Sequence, residues 1–489
     1  MRSSRISLAF VVASLVLLGA CATRPVNPPI VQYAPNHGNE FERLEHGRRN
    51  LQDLVILAFS GGGTRAAAFS YGVLEALRRI EIVSKSGDKT RLLDEVNVIS
   101  GVSGGSFTAL AYGLYGEKLF DIYEKGFLKR NIQGELIARI LNPLNWPALS
   151  SKGWGRSELA AQLYDEILFN GATFEDLERA NGPAIAVSAT EISTGSRVVF
   201  IPLNFDVMCA ELGPFRLSRA AAASAAVPVV LSPITINNYG GTCGYHEPEW
   251  IRLSTDTDNS QRPAERLRNR LQELRKLGDA QRDPYFHLVD GAFSDNLGLR
   301  GVLDFMEAFE ALRAAGQPTP LDHVHRIIIF VVNSVSSPSN KWSMSENPPG
   351  ILATLTTAAG VPINRYSSES VELLKDINAR WKTMREFRDA FALTNGKGRR
   401  MARLANSPNA NMYVIDVSFE ALKDETERHY LNNLPTSLVL PDEAVDRLRA
   451  AAGKIILDSP DLQQMLKDAG AHLVDQSANT PSAAESAAK

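Results

Sequence analysis

Twice before residue 120, a short apolar run ends in a glycine-rich turn that opens a helix, and this doubled pattern confines the chain to a layered α/β fold. Leu54-Val-Ile-Leu-Ala-Phe59 has no polar break, as in strands buried on both faces of a parallel sheet. Gly61-Gly62-Gly63-Thr64-Arg65 follows, and then Ala67, Ala68, Tyr71, Leu74, Leu77 and Ile80 fall on a helical period. Val96-Asn-Val-Ile99 repeats the strand, Gly101-Val102-Ser103-Gly104-Gly105 repeats the turn, and residues 105–116 repeat the helix. A right-handed crossover sets two such parallel strands side by side, with both turns at one edge of the sheet.

Further strands are expected at 184–189, 198–201, 285–289, 327–332 and 412–417, with helices between most of them. Mixed α/β architecture with helices on both sheet faces follows. Residues 263–278 read as a charged helix with Leu267, Leu271, Leu274 and Leu277 on one side, and 367–393 as a second long helix. Charges nearly balance, 52 Lys and Arg against 55 Asp and Glu, which argues against a nucleic-acid partner, for which a basic face is wanted.

The first twenty residues read as an export signal. Two arginines precede an apolar run, Ile6 to Leu18, which is too short for a helix crossing a bilayer core of about 30 Å. Leu18-Gly19-Ala20-Cys21 then resembles a bacterial lipobox, which makes Cys21 the expected lipid attachment site, with Ala22 pointing to the outer membrane. Residues 21–50 carry four prolines before Glu40 and read as a tether. In an oxidising envelope Cys209 and Cys243 are expected to pair; the alternative is a metal site using Cys243 and His246. The tail from 476 is small and polar and is expected to be disordered.

Three short motifs carry chemistry. Gly101–Gly105 fits G-x-S-x-G, which sets a serine, here Ser103, on a strained strand-to-helix turn. Gly61, Gly62 and Gly63, with Gly104, can aim backbone N–H groups at a developing oxyanion where helices begin. Asp290-Gly291-Ala292 closes the 285–289 strand, and Asp290 reaches the same rim if that strand is parallel. Together these supply a nucleophile, an oxyanion hole and a carboxylate base, with no histidine. Ser100 and Ser106 are read as a strand-end residue and a helix N-terminal residue.

In this order and spacing the motifs resemble those of the patatin-like phospholipases. Ala189-Thr-Glu-Ile-Ser-Thr-Gly-Ser196 is similar to a strand and turn of that family, and Arg219 to Pro228 to one of its helix ends. Ala66 and Gly298 depart from the family's usual Gly and Pro. The resemblance implies a three-layer α/β/α fold with a mainly parallel sheet. It places an acyl-hydrolase domain at 51–335, with core motifs at 52–305 and insertions at about 120–180 and 245–283, and a mostly helical extension at 336–475. It implies hydrolysis of membrane-lipid esters through Ser103 and Asp290, with Arg65, Gly101, Gly105 and Gly291 supporting the motifs and no metal or cofactor. Two other readings compete: a catalytically silent lipid- or partner-binding lipoprotein, and an esterase with a Ser–Asp–His triad drawn from His323, His325, His429 or His472. Trp146, Trp154 and Trp342, the apolar stretch 351–363 and the basic cluster Lys397, Arg399, Arg400 and Arg403 are candidate membrane contacts, core packing being the rival explanation for the apolar stretch.

Overall fold

The computed structural model describes residues 23–34, 53–83, 89–151, 153–255, 265–337, 341–392, 408–470 and 472–473. Every strand expected from an apolar run forms: β1 (Asp53–Phe59), β4 (Val96–Val102), β5 (Ala184–Glu191), β6 (Arg197–Phe200), β8 (Tyr285–Asp290), β9 (Arg326–Asn333) and β10 (Asn411–Ser418). Four short strands lacked a sufficient apolar run to be read: β2 (Ile80–Val83), β3 (Lys89–Arg91), β7 (Ile234–Asn237) and β11 (His472–Leu473). The main sheet runs β10-β9-β1-β4-β5-β8-β7, with β6 also on β5. Its first five strands are parallel.

Alternation along β1 explains the layers, since successive side chains point to opposite faces. Val55, Leu57 and Phe59 pack toward α1 (Gly63–Leu77), α2 (Gly104–Tyr115) and α3 (Leu217–Ser224). Leu54, Ile56 and Ala58 belong to a second core. That core also holds residues of α5 (Arg300–Ala314) and α6 (Ile351–Ala392), and α4 (Glu265–Leu277) lies beside α5. Residues beyond 336 return to the same sheet, because β10 pairs along the whole of β9. The helix α7 (Asp442–Asp458) then packs on α1, where Arg449 meets Glu75 at 2.7 Å and a side chain at Gly72 would strike the Arg449 backbone.

The tether reading of 21–50 needs correction over residues 23–34, the described part of that segment. Residues 23–34 lie along the body: Glu211 N–H donates to Pro28 O, Ile30 N–H to Cys209 O, and Tyr33 N–H to Cys243 O. Asn27 and Asn237 exchange two hydrogen bonds of 2.9 and 2.8 Å. Prolines remove backbone donors but leave carbonyls, and the intervening residues use theirs against the loop carrying the cysteines. Cys209 and Cys243 form a disulfide with Cα atoms 5.6 Å apart, while His246 stacks edge-on against Tyr33 and Glu247 pairs with Arg275. Replacing both cysteines by serine is expected to cost about 3–4 kcal/mol, from reopening a loop whose ends lie 34 residues apart. Urea unfolding checks this: an unchanged midpoint would mean that the strap and β7 hold the loop without the bond.

Core packing does not account for the 351–363 stretch. It forms the first turns of α6, a 42-residue helix that carries Pro362; among its described side chains the buried ones begin at Ser367, whereas Ile351 is 83% exposed. Trp154 is buried and Trp146 exposed. No helix among the described residues is long and apolar enough to cross a membrane. Cys21, the basic cluster at 397–403 and the tail from 476 lie outside the described residues.

Candidate active site

Ser103 lies between the end of β4 and the start of α2, with φ 47° and ψ −120°. A non-glycine residue rarely adopts such a backbone, and the neighbouring glycines make it possible. A Cβ at Gly105 would sit 2.6 Å from Ser60 O, and one at Gly101 would sit 2.8 Å from Ser106 Cα. Ser106 Oγ in turn donates to Ser103 O, while Ser100 lines a cavity beneath the sheet.

Asp290 reaches Ser103 by a route that the expectation of a parallel strand did not contain. β8 runs antiparallel to β5 and pairs with its last three residues alone, Asp290 lying opposite Ala189. Val102 pairs with Ser188 on the other strand contact of β5, so Ser103 and Asp290 arrive at the same height of the sheet. Ser103 Oγ donates to Asp290 Oδ2 at 2.8 Å, and Ala292 N–H donates to Oδ1 at 2.9 Å. Both side chains are buried. Burial pushes the Asp290 carboxyl up to about 6, against the pull of the Ala292 N–H and the serine hydroxyl, which favour the anion. A carboxylate at that value is a far better base at neutral pH than an exposed aspartate. The expected pH profile of kcat/KM is therefore flat above about 7 and falls through an acid limb near 6, as Asp290 takes up a proton. An acid limb below 5 would show that another environment surrounds the carboxylate during turnover.

Fewer N–H groups are free to receive an oxyanion than the motif suggested. Gly61 N–H is spent on Asn296 O at 2.9 Å, which removes Gly61 from the set, and Thr64 N–H is spent on Ser437 O. The N–H groups of Gly62, Gly63 and Gly104 meet no backbone carbonyl among the described residues. Gly63 opens α1 and Gly104 opens α2, so two positive helix ends converge beside Ser103. They touch: a side chain at Gly104 would collide with the Gly63 backbone.

Arg65 does not face this hole. It is buried with no carboxylate among its hydrogen-bond partners, donating to Ser334 O at 2.8 Å, Leu434 O at 2.7 Å and Thr436 Oγ1 at 3.1 Å. It thus ties the glycine loop to the end of β9 and to the 434–437 segment, and burial lowers its guanidinium to about 10. Gly291 is held small by Ser188 O, against which a side chain would collide.

Several supports escaped the motif reading. Ser224 Oγ accepts from Ser103 N–H at 2.8 Å and donates to Ser188 O, while Ser224 O and Ala226 O receive the N–H groups of Gly291 and Asp290. Its only signal was its place in the Arg219–Pro228 stretch. Ser60 and Ser334 bond each other at 3.0 Å, and Ser334 Oγ donates to Gly61 O, which fixes the glycine loop from two strand ends that no motif marked. No imidazole intervenes between Ser103 and Asp290: His287 meets Thr235 at 3.0 Å, and His429 lies beside Asn433 on an outer helix.

Residues 57–303 match the family model described as patatin-like phospholipase, which spans all three motifs. No curated protein matches the chain. Among solved structures, human GIVD cytosolic phospholipase A2 is similar at 16% identity and TM-score 0.35, over 65% of this chain and 52% of that one. The same enzyme with methyl gamma-linolenyl fluorophosphonate aligns at 15% identity and TM-score 0.38, over 88% and 62%. VipD from Legionella pneumophila aligns at 11% identity and TM-score 0.30, over 92% and 71%. The chain spans between half and two thirds of the human enzyme's length.

Proposed function

This chain belongs to the patatin-like phospholipase family, and from that premise we propose that it hydrolyses carboxylic esters of membrane lipids through an acyl-enzyme on Ser103. The observation that carries the proposal is the 2.8 Å hydrogen bond from Ser103 Oγ to Asp290 Oδ2 in a buried site. Asp290 takes the serine proton as the oxygen attacks the ester carbonyl. Gly62, Gly63 and Gly104 N–H groups receive the negative charge on the former carbonyl oxygen. The proton returns to the departing alcohol, and water, deprotonated by the same carboxylate, then frees the fatty acid.

Lipid as substrate is supported by the rim of the site. Val227, Val229, Val230 and Phe293 are exposed and lie within a few residues of the groups that bond Asp290. Val229 is 67% exposed and has φ 73°, a strained conformation for a β-branched residue. An exposed apolar rim at a catalytic edge suits a lipid surface better than a soluble ester. We propose further that Cys21 is lipidated and holds the protein at the outer membrane. Arg24 donates to Thr235 O of β7, the strand paired with the β8 that delivers Asp290, so such an anchor would tether the chain on that flank of the sheet.

The test is fatty acid release from mixed phospholipid micelles by residues 22–489, as wild type and Ser103→Ala, with and without chelator. Release that persists in chelator and vanishes in the variant supports the proposal, and the lipid consumed names the substrate. No release from phospholipid or from short acyl esters would overturn it. His429→Ala is expected to leave turnover within about twofold of wild type, since surface changes away from a site act weakly; a collapse of kcat would revive the triad reading.

A further inference from the structure

On the face of the sheet turned away from the dyad lies a cavity of about 490 Å³. Its floor is the N-terminal part of the strands, with Leu54, Ile56, Val98 and Ala186, and its roof is α4 and α5. Neither Ser103 nor Asp290 lines it. It reaches the exposed residues Glu178, Asn181 and Gly182, just ahead of β5, at the sheet edge opposite the catalytic one. Small side chains create it: β5 presents Ala184, Ala186 and Ser188 where large ones would fill the gap below the helices. Protein interiors hold few voids larger than a water molecule, and ligand cavities run from about 300 to 1,000 Å³.

The polar groups in this apolar chamber are not all satisfied. Arg197 is matched, with Asp295 at 3.1 Å and Asp304 at 2.7 Å. Arg270 is buried as well; its hydrogen-bonded acid is Glu273, at 3.1 Å and 45% exposed, and the buried Asp304 also faces it electrostatically. A guanidinium has five N–H donors to satisfy. Asn204, 1% exposed, also lines the chamber, and its Nδ2 has no hydrogen-bond partner. A buried amide donor left unpaired costs free energy that an acceptor arriving with a ligand would recover. The walls therefore ask for a long hydrocarbon, and the unpaired amide donor of Asn204, lining the same chamber as the Arg270 guanidinium, asks for an acceptor such as a carboxylate.

We propose that this cavity binds one long-chain fatty acid, its chain along the β1–β4–β5 floor and its carboxylate on Arg270 and Asn204, as a site separate from the dyad. The site requires no chemistry at Ser103, so it stands or falls independently of the hydrolytic reading. At the catalytic end of the chamber stands Ser100, three residues before Ser103, and a side chain at Gly298 would strike its Oγ.

The experiment titrates cis-parinaric acid into Ser103→Ala protein and follows energy transfer from tryptophan, since Trp250 lines the cavity. Saturable binding of one equivalent is expected, weakened at least tenfold by Arg270→Gln and abolished by Ala186→Leu, which fills the floor. Both substitutions, placed in the Ser103 background for binding and in wild type for activity, should leave hydrolysis of a short acyl ester unchanged. Because Ala186→Leu risks misfolding, Trp250→Phe serves as a second probe: it should lower the energy transfer while the fatty acid still binds at one equivalent. Absence of binding by folded protein overturns the proposal, as does binding whose affinity Arg270→Gln leaves unchanged or whose energy transfer Trp250→Phe leaves unchanged.

Discussion

Asp290→Asn is expected to lower kcat by about 10⁴-fold, as much as Ser103→Ala, and at the same time to make the protein more stable at neutral pH. The loss follows because the serine has a single base at 2.8 Å and an amide cannot take its proton. Stability follows from linkage. The folded carboxyl is held at about 6, against an ordinary value of 3.8, so between those values the folded chain keeps a proton that the unfolded chain has released. Stability contributed by this group is full below 3.8, declines as pH rises toward 6, and stays reduced above it. Asparagine carries no such penalty, and its side-chain oxygen can still accept from Ala292 N–H. Melting curves at pH 8 and pH 4.5 check this: the variant's advantage should appear at the higher pH and shrink at the lower. An Asn variant that was inactive and also less stable at pH 8 would mean that the carboxylate is a structural anchor, its loss acting through misfolding.

Gly104→Ala is expected to reduce kcat by about 10²–10³-fold with KM little changed. A methyl group there would collide with the Gly63 backbone, where the two helix N-termini meet. Relief requires α1 and α2 to part, and their free N–H groups then no longer converge on one oxygen. Gly61→Ala is the informative companion, since its N–H is already committed to Asn296 O. Its methyl would stand 2.8 Å from Asn296 Oδ1 and 3.3 Å from Ser103 Cβ, so any loss there is one of fit and should raise KM along with lowering kcat. Equal falls in kcat alone for both variants would return Gly61 to the oxyanion hole.

What was legible in the sequence were features with a local cause. Uninterrupted apolar runs gave the strands of the parallel sheet, and glycines at two strand ends located the turns, because steric demand at Gly101 and Gly105 is written in a few adjacent residues. Direction was not legible. Nothing in Tyr-Phe-His-Leu-Val-Asp says that β8 enters the sheet antiparallel, overlapping only the tip of β5, so the right residue was reached through an incomplete picture of its strand. Supports that act across hundreds of residues were silent too: Ser334, Asn296 and the 434–437 segment lie far along the chain from the loop they hold. The strap at 23–34 was hidden for a different reason. Proline-rich sequence reads as free linker, and only the partner surface around Cys209 and Cys243 reveals that its carbonyls and amides have a place to go.

The account rests on Ser103 being a nucleophile that forms a covalent intermediate with Asp290 as its base. The most direct measurement is peptide mass mapping after reaction with a long-chain fluorophosphonate. The account predicts one adduct, on the peptide carrying Ser103, formed quickly in wild type, absent from Ser103→Ala and slowed by orders of magnitude in Asp290→Asn. Labelling of another residue, or labelling of Ser103 at the same rate without the carboxylate, would contradict it.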